Sequence, residues 1–565
     1  MKDLKTMIAV KLSSSLDLNY DEVIAGLEKP KHRELAHFAF PCFKLSKTLK
    51  KSPQQIAEEM ATVFLGDTAY ESVTAVSGYL NFKFTASLLA EIVFEEAFTK
   101  RETFGATPYG EGKTAIVEFS STNIAKPFHV GHIRSTMIGN SLYKMHKFLG
   151  FNTIGINHLG DYGTQFGKLI VAFKLWGNKE DIENDPIPEL LKIYVRFHEE
   201  AESNPELDNE ARQWFTRLEN NDQEAYDLWV WFKAVSLKEF NRVYDLLGVQ
   251  FDSYAGESFY SDKMPAVLDE MRAKGILKKD QGAEIVDFGE NSLPPALITK
   301  SDGSSLYITR DLAAAIYRKN HYNFDRNVYV VGTTQKLHFK QWMKIIEMMG
   351  YEWAKDCVHV DFGTVSLEEG TMATRKGKVV FLEDVLKKAT ELAQKVIEEK
   401  NPDLENKEEV AKQIGIGAVI FQELSNNRIK DYMFSWEQSM AFEGETGPYV
   451  QYTHARAGSL LRKAGFQEEI NINTAKLSDT AAVDLLFYLY QFKDVLIEAL
   501  DKYEPSIVTR FIVDVAQAFN RFYHDNMILC DDLEERQARV ALVYATKLVL
   551  KVGLDLIGLK APDRM

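Results

Sequence analysis

Between Ala115 and Leu149 the hydrophobic period of the chain changes. Ala115, Ile116, Val117 and Phe119 form a short β-branched and aromatic run after Gly112 and Lys113, the pattern of a buried strand that follows a turn. Beyond Ser135 the apolar residues Ile138, Leu142, Met145 and Leu149 recur at helical spacing, and Gly150 stands where such a helix ends. Lys126, His129, Gly131 and His132 lie in the polar turn between them. A strand, a polar turn and a helix N-terminus is the arrangement in which α/β proteins hold phosphates.

The same reading divides the rest of the chain. Ser52 and Pro53 start a helix that runs through Ile56, Met60 and Val63, and Ser77 to Phe84 reads as a strand entered through Gly78. Gly105 to Gly112 reads as a linker. Ile154 to Ile156 is a second short strand, followed by N-H-L-G-D-Y-G-T-Q-F-G, whose glycines permit close backbone approach to a ligand. From Leu169 to about Gly282 the pattern is helical, with no chemistry of its own on view. The sheet is expected to resume at Ala283 to Phe288, Ala296 to Thr299, Ser305 to Ile308 and Val328 to Val331. Alternation with helices after Asp311 and Lys340 predicts a parallel α/β sheet. From about Leu382 the pattern is almost wholly helical. The expected units are 1–108, then 109–380 with a helical insertion at about 170–282, a helical connector 381–445 and an all-helical domain 446–565.

Composition narrows the class. A chain of 565 residues with 45% hydrophobic content fills several cores, and no apolar run reaches membrane-spanning length. The N-terminus lacks a secretory signal pattern, so the expected location is the cytoplasm. Cys42, Cys357 and Cys530 are too few and scattered for a disulfide framework or a structural zinc site. A net charge of −15 argues against coating nucleic acid through bulk charge. Locally, however, Lys29, Lys31, Arg33, Lys44, Lys47, Lys50 and Lys51 interleave with His32, His37, Phe38, Phe40 and Phe43, a mixture that suits RNA as well as a solvated surface. A further loop, Glu369 to Val380, gathers Arg375, Lys376 and Lys378 around Gly370 and Gly377, as a loop closing over polyphosphate would.

Two of these stretches resemble known signatures. F-H-V-G-H resembles the HIGH turn of class I aminoacyl-tRNA synthetases, and T-M-A-T-R resembles their KMSKS loop. The chain as a whole is similar to the arginyl-tRNA synthetases. That likeness runs through F-A-F-P-C-F, S-S-T-N-I-A-K-P-F-H-V-G-H-I-R-S-T, G-D-Y-G-T-Q-F-G, S-L-Y-I-T-R-D-L-A-A-A, T-T-Q-K-L-H-F, T-G-P-Y-V-Q-Y-T-H-A-R and A-P-D-R-M. It implies a Rossmann-type parallel-sheet catalytic domain with a helical insertion, an N-terminal α+β domain that binds the tRNA elbow, and a C-terminal all-α anticodon-binding domain. It implies arginine–tRNA ligation with ATP and Mg2+, and tRNA(Arg), L-arginine and ATP as partners of a monomer that needs no membrane.

By the same resemblance, His129, Gly131, His132, Met372 and Thr374 contact ATP, and Lys126, Arg375 and Lys376 steady its phosphates. Glu118, Asn123, His129, Tyr307, Asp311 and Gln335 contact arginine, with Tyr307 and Asp311 at the guanidinium. Tyr79 and Asn81 meet the tRNA elbow; Tyr449, Tyr452 and Met565 meet the anticodon. The requirement is physical: a guanidinium is planar, permanently charged and five times a donor, so its pocket needs carboxylates and neutral acceptors. One departure stands out. Thr371 and Thr374 replace lysines of the family loop, which shifts the expected cationic work to Lys126. A metal-binding His pair lacks Cys or carboxylate partners nearby in the sequence. The other readings are a different class I synthetase, or a silent paralogue that binds RNA without catalysis.

Overall fold

A computed structural model describes residues 3–16, 18–30, 36–126, 128–289, 292–301, 307–367, 380–467 and 472–565. Near the N-terminus an antiparallel sheet places Tyr79–Phe84 between Phe38–Pro41 and Tyr70–Val76. Its hairpin turns at Ser77 and Gly78, both at positive φ (52° and 80°), the geometry that matches the twist of a two-residue hairpin. The helix Pro53–Thr62 begins with a capping box between Ser52 and Gln55. His37, Phe38 and Phe40, grouped by sequence with the cationic stretch, are buried instead: strand alternation and close packing turn them into core. His37 stacks on Phe487 at 4.5 Å, which fastens this sheet to the helix Thr480–Asp501.

The parallel sheet contains β1 (Thr114–Glu118), β2 (Asn152–Ile156), β3 (Arg326–Gly332) and β4 (Cys357–Phe362), in the spatial order β4-β3-β1-β2. Helix α1 (Gly131–Phe148) carries the chain from β1 to β2, and the helix Lys336–Met348 joins β3 to β4. The order reverses between β1 and β3, which makes their carboxyl ends the topological switch point where such sheets bind ligands. Alternation along β1 sends Ala115 and Val117 into one core and Ile116 into another, on the opposite face of the sheet. Gly139 lets α1 lie against the strand end, since a Cβ there would come within 2.0 Å of Phe119 Cβ.

Two expectations about strands are corrected. Ala283–Val286 and Ala296–Thr299 join Leu277–Asp280 in a separate antiparallel sheet and do not extend the parallel one. Gln281 and Gly282, at φ 48° and 85°, form a tight hairpin, and a two-residue connection can only join antiparallel strands. Tyr307 and Ile308, read as the end of a strand, open helix α3 (Tyr307–Tyr322), because Ile308, Leu312 and Ala315 continue a buried helical stripe; Ser305 and Leu306 lie outside the described residues. Of the helical insertion expected at about 170–282, residues 164–247 are helices joined by short turns, including α2 (Gln223–Leu247), and Met264–Ala273 is helical again, whereas Leu277–Asp280 is a strand. Beyond residue 381, α4 (Leu382–Lys400), α5 (Lys407–Ser425) and α6 (Gly447–Ala464) lead into the closing helices, interrupted by Tyr432–Phe434, which pairs with Val365–Leu367. Among the described residues no helix is long and apolar enough to cross a membrane.

The joint between the parallel sheet and helix α5 is a buried ion pair. Arg134 on α1 donates from Nε to Glu423 Oε1 of α5 at 2.8 Å, and both side chains are almost wholly excluded from solvent. Its Nη groups donate to the carbonyls of Thr364, Lys430 and Arg428, while the Tyr432 hydroxyl donates to Glu423 Oε2 at 2.6 Å. Breaking one side of such a pair strands a buried charge, so Glu423→Gln is expected to cost about 3–5 kcal/mol. Replacing both residues by apolar ones of similar volume should cost much less. Chemical unfolding of the two variants checks this; a cost below about 1 kcal/mol for the single change would mean that the pair is hydrated.

Candidate active site

The turn that leaves β1 is held in an uncommon backbone conformation. Ser120, Ser121 and Ala125 have φ of 68°, 49° and 60°, a left-handed region that non-glycine residues adopt only when their surroundings compel it. The surroundings come from α1 and α2. Ser120 N–H donates to Ser135 Oγ at 3.0 Å, and Ser120 Oγ lies 2.8 Å from the Tyr244 hydroxyl, to which Asn157 Nδ2 donates at 2.9 Å. Ala125 N–H donates to Ser236 Oγ. Tyr244 and Ser236 belong to the helical insertion, which therefore braces the turn; sequence patterning saw no such role, because a hydroxyl on a helix face carries no periodic signal.

Two imidazoles sit at the end of this turn, their ring centroids 3.9 Å apart. Gly131 N–H donates to His129 Nδ1 and His129 N–H donates to His132 Nδ1, at 3.0 and 3.2 Å. A ring nitrogen that accepts cannot carry the proton, so each neutral ring bears it on Nε2 and presents an Nε2–H donor. Burial, with the His129 ring and the Lys126 cation close by, pushes His132 down to about 3; burial and Lys126 also lower His129. The pair is thus two neutral donors at the N-terminus of α1, where the helix dipole adds positive potential.

Backbone bonds tie this turn to the foot of the second expected loop. Leu382 N–H donates to Phe128 O at 3.0 Å, Val130 N–H donates to Val380 O at 3.3 Å, and His129 bridges Phe381. Arg242 of α2 forms a two-toothed ion pair with Glu383, one residue farther on. Met372, Thr374, Arg375 and Lys376 lie outside the described residues. The family loop they resemble is therefore reached here only through its downstream anchor.

The expected arginine contacts surround the same strand ends. Alternation puts Glu118 on the face of Ile116, buried, with Oε2 2.6 Å from Arg318 Nη1. Asp311 Oδ2 is 2.5 Å from His338 Nε2. His158, after β2, and Tyr329, on β3, both feel the charges of Glu118, Arg318 and Asp311, so the two acids approach one volume from strand and helix. Asn123 bridges Gly160, where a Cβ would lie 2.1 Å from Asn123 Oδ1; this is the close approach that the glycine-bearing loop allows. Gln335 follows β3 and is exposed, and Tyr307, one helical turn before Asp311, is exposed too. Beside them Arg310 pairs with Glu257 at 2.9 Å, a carboxyl that burial pushes up to about 7 against the pull of Arg310.

The expected tRNA contacts lie apart from this volume. Tyr79 meets the exposed Phe43 edge-on at 5.1 Å, and Asn81 is half-buried beside it on the same strand. Tyr449 accepts a hydrogen bond from Asn520 at its hydroxyl. Tyr452, stacked beneath Arg456, lines a cavity of about 470 Å3 with Arg462, Arg564 and Met565. Gln451 and His454 hold the last residues by donating to the carbonyls of Lys560 and Pro562. Sequence reading missed Arg318, His158, Tyr244 and Ser236. For Arg318 a signal existed: it lies two helical turns beyond Asp311, on the helix face that also carries Ala314 and Ala315. Among the described residues, no cluster of three or more His, Cys, Asp or Glu is placed to hold a metal ion.

The chain matches three family models: the arginyl tRNA synthetase N-terminal domain over residues 2–84, the catalytic domain of class I (R) tRNA synthetases over 95–436, and the DALR anticodon binding domain over 450–565. It is 58% identical to the arginine–tRNA ligase of Halothermothrix orenii and 56% identical to that of Clostridioides difficile, each over the full length of both chains. The arginyl-tRNA synthetase structure of Thermus thermophilus shares the fold, with a TM-score of 0.83, 23% identity and full coverage of both chains.

The histidine assignment predicts a pH dependence. A folded-state value near 3, below the ordinary 6.5, means that the neutral ring of His132 contributes stability in full above pH 6.5 and loses it as the pH falls toward the folded value. Ring-nitrogen NMR should therefore find His132 neutral, with its proton on Nε2, down to about pH 5. A His132 midpoint at or above about 6 would contradict the donor assignment.

Proposed function

The chain belongs to the arginyl-tRNA synthetase family, its reaction is the ATP-dependent charging of tRNA(Arg) with arginine, and we propose the following roles for its residues in that reaction. The carboxylate of L-arginine attacks the α-phosphate of ATP, forming arginyl-adenylate and expelling pyrophosphate. A hydroxyl of the terminal ribose of tRNA then attacks the adenylate carbonyl and releases AMP. Both reactants bring their own nucleophile and leaving group, so the protein has to position them and stabilise developing negative charge.

His129 and His132 donate their Nε2–H groups to phosphate oxygens, Gly131 leaves room for the adenine, and the N-terminus of α1 adds its dipole. Lys126 is the principal cation on the departing pyrophosphate, with Arg375 and Lys376 auxiliary and Met372 and Thr374 turned to ATP. Mg2+ arrives with the triphosphate and is held mainly by phosphate oxygens and water. Asp311 and Tyr307 receive the guanidinium; Glu118, Asn123, His129 and Gln335 hold the rest of the amino acid. A site built on buried acids leaves them unpaired when a neutral analogue enters, which rejects it without a separate editing site. Tyr79 and Asn81, within residues 1–108, contact the tRNA elbow. Tyr449, Tyr452 and Met565, within 446–565, contact the anticodon.

The observation that supports this reading is the pair of neutral imidazole donors at the N-terminus of α1, on the turn that leaves the strand carrying the buried acid Glu118. Arginine-dependent ATP–pyrophosphate exchange tests it. Lys126→Ala should slow exchange by roughly a hundredfold, the usual effect of removing one transition-state contact to developing charge; an unchanged rate would assign the work to the cations of 369–380. Asp311→Asn should raise the KM for arginine by roughly tenfold to a hundredfold while leaving that for ATP alone. Equal losses for both substrates would remove Asp311 from the guanidinium.

A further inference from the structure

The amino-acid pocket contains a guanidinium of the protein's own. Arg318, from α3, is fully buried, a position that arginine rarely takes without partners that compensate its charge. Its Nη1 lies 2.6 Å from Glu118 Oε2, off hydrogen-bond geometry, so the contact is one of charge more than direction. Nη2 lies 3.3 Å from His158 Nδ1, Nε reaches the Tyr260 hydroxyl at 3.4 Å, and the rings of Tyr260 and Tyr329 flank the group at 5.7 and 5.5 Å. The charged and titratable groups around Glu118 are thus Arg318 and Asp311 from α3, Tyr329 from β3, His158 from the loop after β2 and Tyr260 from the turn 257–263. The acids differ in their partners. Glu118 faces a permanent cation, whereas Asp311 faces an imidazole that can donate a hydrogen bond without a net charge.

We infer that Arg318 is a positioning residue for arginine: it compensates the charge of Glu118 from within, through one oxygen, and so leaves Asp311 as the acid open to the substrate's guanidinium. The inference rests on the reading of Glu118 as an arginine contact. Arg318 does not touch substrate; it acts through Glu118, and its repulsion of a second guanidinium sets which acid the substrate meets.

A double-mutant cycle in the full-length protein, read as KM for arginine and for ATP in pyrophosphate exchange, tests this. Arg318→Met and Glu118→Gln should each raise the arginine KM about tenfold or more. The double variant should be no worse than the worse single one, because removing both charges together leaves neither stranded. The KM for ATP should stay within about twofold throughout. Arg318→Lys, which keeps the charge without the planar fork, should recover part of the loss, and it replaces Arg318→Met in the same cycle if the latter does not fold. Single-variant losses that multiply in the double variant, an arginine KM unmoved by Arg318→Met, or an ATP KM that rises in step would overturn the inference. An arginine KM unmoved by Glu118→Gln alone, with Asp311→Asn still impaired, would instead remove Glu118 from the substrate and take this inference with it.

Discussion

The structure depends most on the way Arg134 is buried. One guanidinium on the helix that follows the first strand spends its donors on Glu423 and on the carbonyls of Thr364, Arg428 and Lys430. These partners come from the end of the parallel sheet, from α5 and from the segment that follows α5. A planar group with five donors in fixed directions accepts few alternative placements of its partners. Helix α1 is therefore held in register with α5 and the segment after it by geometry as much as by apolar contact.

The catalytic turn is a second case of the same economy. Its left-handed residues are strained locally, and the strain is sustained by hydroxyls of Tyr244, Ser135 and Ser236 that meet backbone and side-chain groups of the turn. The braces come from the helix on one side and the insertion on the other. Phe128 packs edge-on against Tyr244 and Phe240, so the insertion supports the ATP-facing turn with both apolar and polar contacts. Its function in the catalytic domain is mechanical at this point, whatever surfaces it offers elsewhere.

Charge is managed differently in the two halves of the site. Around the His129–His132 pair the side chains are kept neutral: burial, with Lys126 as a neighbouring cation, lowers both imidazoles, so they donate hydrogen bonds without carrying a buried charge. Around Glu118 the acids meet cations of the protein's own: Glu118 lies beside Arg318, and Glu257, pushed up to about 7 by burial, lies beside Arg310. The net charge of −15 across the chain has little bearing on either half, because short-range partners dominate in a low-dielectric pocket.

Much of this was legible in the residues. The period change from β1 to α1, the helix end at Gly150 and the capped start at Ser52 follow from local preferences, and α1, the strand beneath it and the helix from Pro53 form where those preferences put them. Motif order was enough to identify the family, because spacing along a chain survives changes in everything between. Local pattern failed where the outcome turned on partners distant in sequence. It took Tyr307 and Ile308 for strand, assigned the 283–299 strands to the wrong sheet, and left the stretch that holds His37, Phe38 and Phe40 between an RNA-binding patch and a solvated surface, whereas these three residues are core. Glu118 becomes a buried acid only through the sheet's face and Arg318, which no local pattern announces. The sequence by itself determined which residues form strands and helices and which chemistry they carry. Tertiary structure alone decided which charges meet, because Arg134 and Glu423, or Glu118 and Arg318, are separated by hundreds of residues and become neighbours only when the chain has closed around them.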